Sequence, residues 1–302
     1  MTGAIFFETI IIGGSYAGLS AAMSLGRSLR KVLVIDSGLP CNSQTPYSHN
    51  FITQDGEAPH AISKKAREQV MKYPTVHFLD DLAIDATKTA EGFAVTTKSG
   101  DRFVGSKLIV ATGIKDELPA ISGVAECWGI SVIHCPYCHG YEFRNQQTGI
   151  LANGDRAFHL ASLVSNLSSD LTIMTSGTPT FTPDQLARLG QRAIQIIETE
   201  VIEFKHHGGH LEGVVFKDNH VAPFHAVYAA IPFVQHSGIP EALGCMLTEQ
   251  GHIKVDHFQQ TTVEGVYACG DNTSPMRSVA NAVAAGNFTG AMVNKVLTDE
   301  DF

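Results

Sequence analysis

Residues 9–18 read Thr-Ile-Ile-Ile-Gly-Gly-Ser-Tyr-Ala-Gly, an apolar β-branched run that passes directly into a glycine-rich turn. The composition and spacing of residues 19–30 predict a helix, and residues 31–35 predict a second buried strand that ends on Asp36. The acid stands 23 positions after Gly13. A βαβ unit with this spacing is typical of a dinucleotide-binding fold, and it sets the fold class as α/β.

The individual residues of this turn have separable physical roles. Gly13 permits the tight turn, and Gly18 lets the helix pack closely on the strand. The helix N-terminus offers N–H groups to a pyrophosphate, while Asp36 accepts hydrogen bonds from a ribose. Ser15 stands where the usual pattern has its middle glycine. A glycine turn with a structural role only is therefore the alternative.

A second βαβ pattern lies in the middle of the chain. Residues 148–152 and 171–175 predict strands, residues 155–167 a helix, and Asn153-Gly154 the turn between them. The chain thus resembles an internal duplication of two Rossmann-like, three-layer domains. Short alternating runs between residues 84 and 104, and a hairpin turning at residues 206–210, predict small antiparallel sheets. A helix is expected from about residue 276 to 297.

Composition excludes several classes of protein. The 302 residues are 44% hydrophobic and 17% charged, with a net charge of −9 and a pI of about 5.8. This acidic balance argues against nucleic acid as a partner. No apolar run reaches the ~18 residues of a membrane helix, and the N-terminus lacks the pattern of a secretory signal. We expect a cytoplasmic protein with no membrane partner.

Two of the six cysteines form the motif Cys135-Pro-Tyr-Cys138. Three interpretations are open: a redox couple, a zinc clip, or two structural cysteines. Pro136 and Gly140 imply a tight turn that brings the sulfurs to bonding distance, which favours a redox couple. A zinc site would need a second ligand pair from another segment, so we expect no metal. The isolated cysteines are expected to be small buried hydrophobes: Cys41, Cys127, Cys245 and Cys269.

The tetrapeptide also occurs in glutaredoxins, where it follows the first strand of the module. Here it lies between two nucleotide-binding patterns. The order of the Gly13–Gly18 loop, the Ala111-Thr112-Gly113 turn, the cysteine pair, the second fold and Gly270-Asp271 resembles the low-molecular-weight thioredoxin reductases over nearly the whole chain. The resemblance implies a discontinuous FAD-binding domain of residues 1–115 and 234–302. It implies that residues 116–233 form an NAD(P)-binding-like domain carrying the cysteines, and that the protein is a homodimer.

The resemblance also assigns individual residues. Cys138 would be the sulfur nearer the flavin, and Cys135 the sulfur that exchanges with substrate. Asp271 would bind the ribityl chain, and residues 277–280 would lie against the flavin ring. The residues assigned to FAD are Gly13, Gly14, Ser15, Ala17, Gly18, Asp36, Ala111, Thr112, Gly113, Gly270, Asp271, Arg277, Ser278, Val279 and Ala280.

The chain departs from thioredoxin reductases at three places. Ala152 replaces the leading glycine of the second fingerprint, and no Lys or Arg stands between Ala157 and Ala187 to neutralise a 2′-phosphate. Arg156 is either a substitute or a helix-surface charge. His139 replaces the acidic residue that follows the second cysteine. A histidine titrates near neutrality and is suited to accept a proton from a thiol, although a solvated histidine is the alternative.

Together these departures resemble the gliotoxin-oxidase type of flavin dithiol oxidase, which draws no electrons from NADPH. We therefore expect a small-molecule dithiol substrate, catalysis by Cys135, Cys138 and His139, and transfer of electrons through FAD to oxygen or another acceptor. Two alternatives remain. One is an NAD(P)H-dependent reductase of a thioredoxin-like protein, and the other is a flavin-bound redox sensor.

Overall fold

The computed structural model describes residues 5–302. The strands are β1 Ile5–Ile12, β2 Val32–Asp36, β3 Val76–Asp80, β4 Ala83–Thr89, β5 Gly92–Thr97, β6 Arg102–Val110, β7 Ile114–Asp116, β8 Val132–Ile133, β9 Thr148–Leu151, β10 Leu171–Met174, β11 Gln195–Ile197, β12 Val201–His207, β13 His210–Phe216, β14 Val221–Ala222, β15 Ala226–Ala229, β16 Phe233–Gln235 and β17 Val266–Ala268. The helices are α1 Tyr16–Arg27, α2 Pro59–Val70, α3 Val124–Cys127, α4 Pro136–His139, α5 Gly154–Val164, α6 Pro183–Gln191, α7 Ile239–Ala242 and α8 Val279–Asp301.

These elements form two compact units. Unit 1 comprises the chain up to Ser43, Phe51–Lys115 and Phe233–Phe302, and unit 2 comprises Gln44–Asn50 and Asp116–Pro232. The sequence-based boundaries differ at two places, because they leave Gln44–Asn50 in the first domain and put Phe233 in the second. Among the described residues, no helix combines the length and the apolar character needed to cross a bilayer.

Unit 1 is built on a seven-stranded sheet in the order β3-β2-β1-β6-β5-β4, with β17 also paired to β6. The strands β1, β2, β3, β6 and β17 are parallel, and β4 and β5 are antiparallel additions. The sequence predicts the β4–β5 hairpin as part of a small antiparallel sheet. It joins the large sheet instead, because β6 is one strand of 9 residues that pairs with β5 at its start and with β1 along its length.

The central strands of unit 1 are apolar because both faces of the sheet are covered. Ile10, Ile11, Val32 and Ile109 are fully buried. On one face, α1 and α8 pack so closely that a Cβ at Gly286 of α8 would overlap the backbone oxygen of Ala17. The long C-terminal helix is thereby held against the first βαβ unit.

Unit 2 contains a five-stranded parallel sheet in the order β11-β10-β9-β15-β8 and a three-stranded sheet, β12-β13-β14. The predicted second βαβ unit is β9, α5 and β10. The predicted start of α6 is also present: Thr182 caps the helix through a reciprocal capping box with Gln185. The small sheet includes the predicted hairpin at residues 206–210.

Candidate functional site

The first glycine loop joins β1 to α1 in unit 1. Gly13 has a φ of +104°, and the backbone N–H of Gly14 donates a 3.1 Å hydrogen bond to Asp36 Oδ1. A Cβ at Gly18 would overlap the Gly13 carbonyl oxygen, so only glycine allows α1 to start this close to the strand. Ser15 is the N-cap of α1, but its side chain makes no capping hydrogen bond. The first N–H groups of α1 are therefore open to an anionic ligand.

Two further predicted segments lie at the same edge of the sheet. Parallel strands end at one edge, and β1, β6 and β17 are parallel neighbours. The turn after β6 holds Ala111, Thr112 and Gly113, and the N–H of Ala111 donates to Ile12 O. Thr112 Oγ1 is enclosed and has no hydrogen-bond partner in the described chain. A buried hydroxyl of this kind is expected to meet a ligand or water.

The segment after β17 brings the remaining predicted residues to this edge. Gly270 has a φ of +95°, and Asp271 Oδ2 lies 3.9 Å from Arg277 Nε, beyond hydrogen-bond range. Ser278 caps α8 by accepting a 3.1 Å hydrogen bond from the N–H of Asn281. Val279 and Ala280 are the first residues of α8.

Two details of this edge differ from what sequence reasoning identifies. The Ala17 side chain is buried, and Gly270 approaches it so closely that a Cβ there would lie 3.0 Å from it, which leaves only the Ala17 backbone for a cofactor. Asn272 is missed by the sequence motifs. It is fully buried, donates to Val110 O at 3.0 Å, and leaves its Oδ1 without a partner in the described residues. Unit 1 thus has the glycine loop of a dinucleotide-binding site, together with buried polar atoms that have no partner in the described residues.

In unit 2, Cys135 and Cys138 form a disulfide with Cα atoms 5.3 Å apart. Cys135 is the N-cap of the single-turn helix α4, and Pro136 occupies its first position. The N–H of Cys138 donates a 3.2 Å hydrogen bond to Cys135 Sγ. This donor would stabilise a thiolate on Cys135 after the disulfide opens. Within residues 5–302, no group of three His, Cys, Asp or Glu side chains is arranged to hold a metal.

His139, the last residue of α4, has an unusual environment. Both of its ring nitrogens are enclosed, and neither has a hydrogen-bond partner within the described chain. Burial lowers the pKa of His139 below its ordinary value; nearby His49 also lowers this pKa, and Glu142 raises it. The ring is therefore predominantly neutral near pH 7, the state that accepts a proton.

His49 and Glu142 are neighbours of His139 that sequence reasoning misses. His49 Nε2 lies 3.6 Å from Glu142 Oε1, which is ion-pair distance when the imidazole is protonated. Glu142 follows α4 closely and could be suspected from the motif alone. His49 is far upstream in the chain, on the segment Gln44–Asn50 that groups with unit 2. No local pattern would reveal it.

The polar groups of the second glycine loop, between β9 and α5, make their hydrogen bonds within the protein. Asn153 is the N-cap of α5, and its Oδ1 accepts hydrogen bonds from Gly154 N at 2.8 Å and from Thr180 N at 2.9 Å. Its Nδ2 donates to Thr178 O at 2.9 Å. A Cβ at Gly154 would lie 2.6 Å from Thr180 Oγ1, so residues 178–180 rest directly on the loop. We call this set of contacts the Asn153–Thr180 latch.

Charge at the start of α5 also opposes an anion. Asp155 lies in the first turn, where its carboxylate would repel a phosphate. The carboxylate accepts a 2.7 Å hydrogen bond from Gln185 Nε2, which ties it to the start of α6. Arg156, the possible substitute for the missing basic residues, is exposed on α5.

Comparisons with known proteins place this geometry in context. A family model described as pyridine nucleotide-disulphide oxidoreductase matches residues 7–286. The thioredoxin reductase tcpT of Claviceps purpurea (strain 20.1) is 33% identical over 301 residues, covering 96% of this chain and 94% of tcpT. The crystal structure of an oxidoreductase from Agrobacterium tumefaciens has a TM-score of 0.92 and 36% identity, covering 98% and 99% of the two chains. The crystal structure of HlmI has a TM-score of 0.92 and 32% identity, covering 100% of this chain and 95% of HlmI.

Proposed function

Because the chain belongs to the pyridine nucleotide-disulphide oxidoreductase family, we propose that it is an FAD-dependent dithiol oxidase in which electrons enter at the Cys135–Cys138 disulfide and NADPH has no part. The predicted enzyme class, a thioredoxin reductase-like flavin-dependent disulfide oxidoreductase, and the predicted fold class are confirmed by the family match and by the similar structures. The direction of electron transfer goes beyond the enzyme class and is part of the proposal.

The observation that carries this proposal is the Asn153–Thr180 latch. A nucleotide-binding loop presents the first N–H groups of its helix to a pyrophosphate. Here the N–H of Gly154 donates to the Asn153 side chain, and the segment ending at Thr180 rests on the loop. A pyridine nucleotide would have to break these contacts and also neutralise the repulsion from Asp155. The second domain is therefore degenerate for nucleotide binding.

FAD fits unit 1 better than any site in unit 2. The glycines of the Gly13–Gly18 loop let the start of α1 pack directly on the end of β1, and Thr112 Oγ1 and Asn272 Oδ1 are buried polar atoms without a partner in the described chain. We assign the adenosine diphosphate half to this loop and Asp36, and the ribityl and ring end to Asp271 and residues 277–280. When bound there, FAD would supply the acceptor for the electron pair of the reduced cysteines and the means of passing it to oxygen or another acceptor.

The chain's own residues account for substrate oxidation. At an ordinary pKa near 8.5, only about 3% of a thiol is ionised at pH 7, so a base is useful. Neutral His139 accepts the proton of the first substrate thiol, and the thiolate attacks Cys135 Sγ, which releases Cys138 as a thiolate. The second substrate thiolate then attacks the substrate sulfur of the mixed disulfide and releases Cys135. The substrate loses two electrons and two protons, and the enzyme disulfide becomes a dithiol.

A second candidate function has the same fold but the opposite direction of electron transfer. One relative carries the name thioredoxin reductase. An enzyme of that kind would take electrons from NAD(P)H and deliver them through Cys135–Cys138 to a thioredoxin-like protein. For either function we infer a cytoplasmic homodimer, which the resemblance and the sparse cysteine content support.

The test uses the FAD-loaded protein without oxygen. Dithiothreitol should bleach the visible flavin absorbance of the wild-type protein and leave that of Cys138→Ser unchanged. Cys41→Ser is the matched control and should behave as wild type. If dithiothreitol fails to reduce the wild-type flavin, the oxidase proposal is wrong. If neither dithiothreitol nor NADPH reduces it, the protein is better described as a flavin-bound sensor.

A further inference from the structure

The hairpin between β12 and β13 carries three histidines around two glycines, in the order His206-His207-Gly208-Gly209-His210. Gly208 and Gly209 have φ values of +57° and +83°, the left-handed conformation that both central residues of a type I′ turn need. The loop therefore has only two residues. His207 is the last residue of β12, His210 is the first residue of β13, and the strand register pairs them directly across the hairpin.

His207 and His210 project from the same face of this hairpin. Residues directly opposite on antiparallel strands point to the same side of the sheet, with Cβ atoms about 4.5–5.5 Å apart. Both histidines are exposed. The next pair, His206 and Leu211, points to the other face, where Leu211 is buried and His206 Nδ1 accepts a 3.3 Å hydrogen bond from the N–H of Gly209. Two imidazoles thus stand side by side in solvent, and the third is engaged within the turn.

The turn is anchored to the rest of unit 2. The buried Ser131 Oγ donates a 2.7 Å hydrogen bond to Gly209 O and accepts a 3.0 Å hydrogen bond from the N–H of Leu211. A Cβ at Gly209 would lie 2.5 Å from Ile130 Cδ1, so the turn rests directly on this segment. The strand ends that carry the two exposed histidines are therefore fixed in place before any ligand arrives, which lowers the cost of ordering on binding.

Two imidazoles at this spacing suit a transition-metal ion. Imidazole nitrogen lies about 2.0–2.1 Å from such an ion, so two nitrogens in neighbouring coordination positions lie about 3 Å apart. Rings on directly opposed strand residues can reach this separation by rotation of their side chains. Imidazole ligands favour nickel, copper and zinc over magnesium and calcium, which prefer oxygen. Two protein ligands leave the remaining positions to water, which agrees with the absence of a three-residue ligand group within residues 5–302.

We propose that His207 and His210 form a two-histidine site for a divalent transition-metal ion of the nickel, copper and zinc class. The site uses neither cysteine of the disulfide, so it is independent of the direction of electron transfer, and the expectation of no metal concerns the cysteine pair. Lys205 and Glu212 are exposed beside the two histidines and carry opposite charges, so the affinity comes from imidazole ligation. A bound ion joins the ends of β12 and β13.

The test measures nickel binding by isothermal titration calorimetry. Oxidised Cys41→Ser protein is titrated with nickel chloride, so that the exposed thiol does not compete for the ion. We expect one ion to bind per chain. His207→Gln and His210→Gln should each weaken binding at least about tenfold, because loss of one ligand removes the gain from simultaneous binding through two. Magnesium chloride should not bind, because Mg²⁺ prefers oxygen ligands.

Two further histidine variants are the matched controls. His60→Gln removes an exposed histidine from α2 in unit 1. His206→Asn removes the neighbour on the other face of the hairpin and keeps a side-chain acceptor for the N–H of Gly209. Both should retain the affinity of the Cys41→Ser protein. Unchanged affinity in His207→Gln would mean that nickel binds adventitiously at other histidines. Either this result, an equal loss in His206→Asn, or no nickel binding at all would overturn the proposal.

Urea denaturation gives a second measurement. A ligand that binds the folded hairpin more tightly than the unfolded chain raises the free energy of unfolding by mass action. Nickel should therefore raise the urea midpoint of the Cys41→Ser protein and leave that of its His207→Gln variant unchanged. Circular dichroism without nickel checks that the variant is folded. Equal shifts of the midpoint in the two proteins would show that the ion does not join the paired strands, and would reject the site.

Discussion

Asn153 Oδ1 accepts a 2.9 Å hydrogen bond from the backbone N–H of Thr180, 27 residues further along the chain. Together with the bond from Gly154, this contact joins the turn after β9 to the segment that follows β10. In a nucleotide-binding domain these two turns receive the pyrophosphate and the ribose. Here the two turns are hydrogen-bonded to each other. The N–H of Gly154, which would face a phosphate, donates to the Asn153 side chain instead.

The latch should contribute to the stability of unit 2. Asn153→Ala removes a helix N-cap and the contacts to residues 178–180, so we expect the free energy of unfolding to fall by about 1–2 kcal/mol. Urea denaturation measures the change. The exposed Asn166, changed to alanine, is the matched control and should alter the value by less than about 0.5 kcal/mol. Equal effects of the two variants would show that the latch contributes no stability.

The first glycine loop should be required for FAD. A Cβ at Gly18 would overlap the Gly13 carbonyl oxygen, so Gly18→Ala must displace α1 or the loop. We expect the affinity for FAD to fall at least about tenfold, measured by the ratio of flavin to protein after purification and by titration with FAD. Gly190→Ala is the control, because its Cβ would meet nothing within 4 Å in α6. Full flavin content in Gly18→Ala would contradict the assigned site.

The thiols should differ sharply in reactivity. Burial raises the pKa of the Cys127 and Cys245 thiols and raises that of Cys269 to about 12. The expectation that Cys41 is also buried is wrong, because this residue is exposed. A thiol reagent at pH 8 should therefore detect one group, Cys41, in the oxidised protein. After mild reduction and removal of the reductant under anaerobic conditions, it should detect three, because the disulfide adds two. In Cys41→Ser the reagent should detect no thiol in the oxidised protein and two thiols after reduction. Rapid reaction of a further thiol without denaturant would show that the buried cysteines are accessible.

The fold could be predicted where local patterns decide it. The run of apolar residues before Gly13 and the acid at Asp36 follow from strand burial and turn geometry, and both are read within a short window. The hairpin β4–β5 was also predictable, but its place in the large sheet was not. That place depends on β6 pairing with β1, a contact between strands about a hundred residues apart.

The same distinction applies to the sites. Cys135, Cys138 and His139 stand together in the sequence, and so do Ala152 and Asn153. The partners that change their chemistry come from elsewhere in the chain. Thr180 reaches Asn153 through the packing of residues 178–180, and His49 reaches Glu142 from the segment Gln44–Asn50. Long-range contacts of this kind leave no periodic or spaced pattern, so the sequence predicts a weakened nucleotide site but not what closes it.

Electrons are proposed to enter this protein through the disulfide and not from NADPH. The most direct test compares the rates at which equal concentrations of NADPH, NADH and dithiothreitol reduce the flavin of the loaded wild-type protein without oxygen. We expect the dithiol to reduce it rapidly, and both nucleotides to reduce it much more slowly than the dithiol does. Rapid reduction by NADPH, with dithiothreitol slow, would instead identify the protein as an NADPH-dependent disulfide reductase.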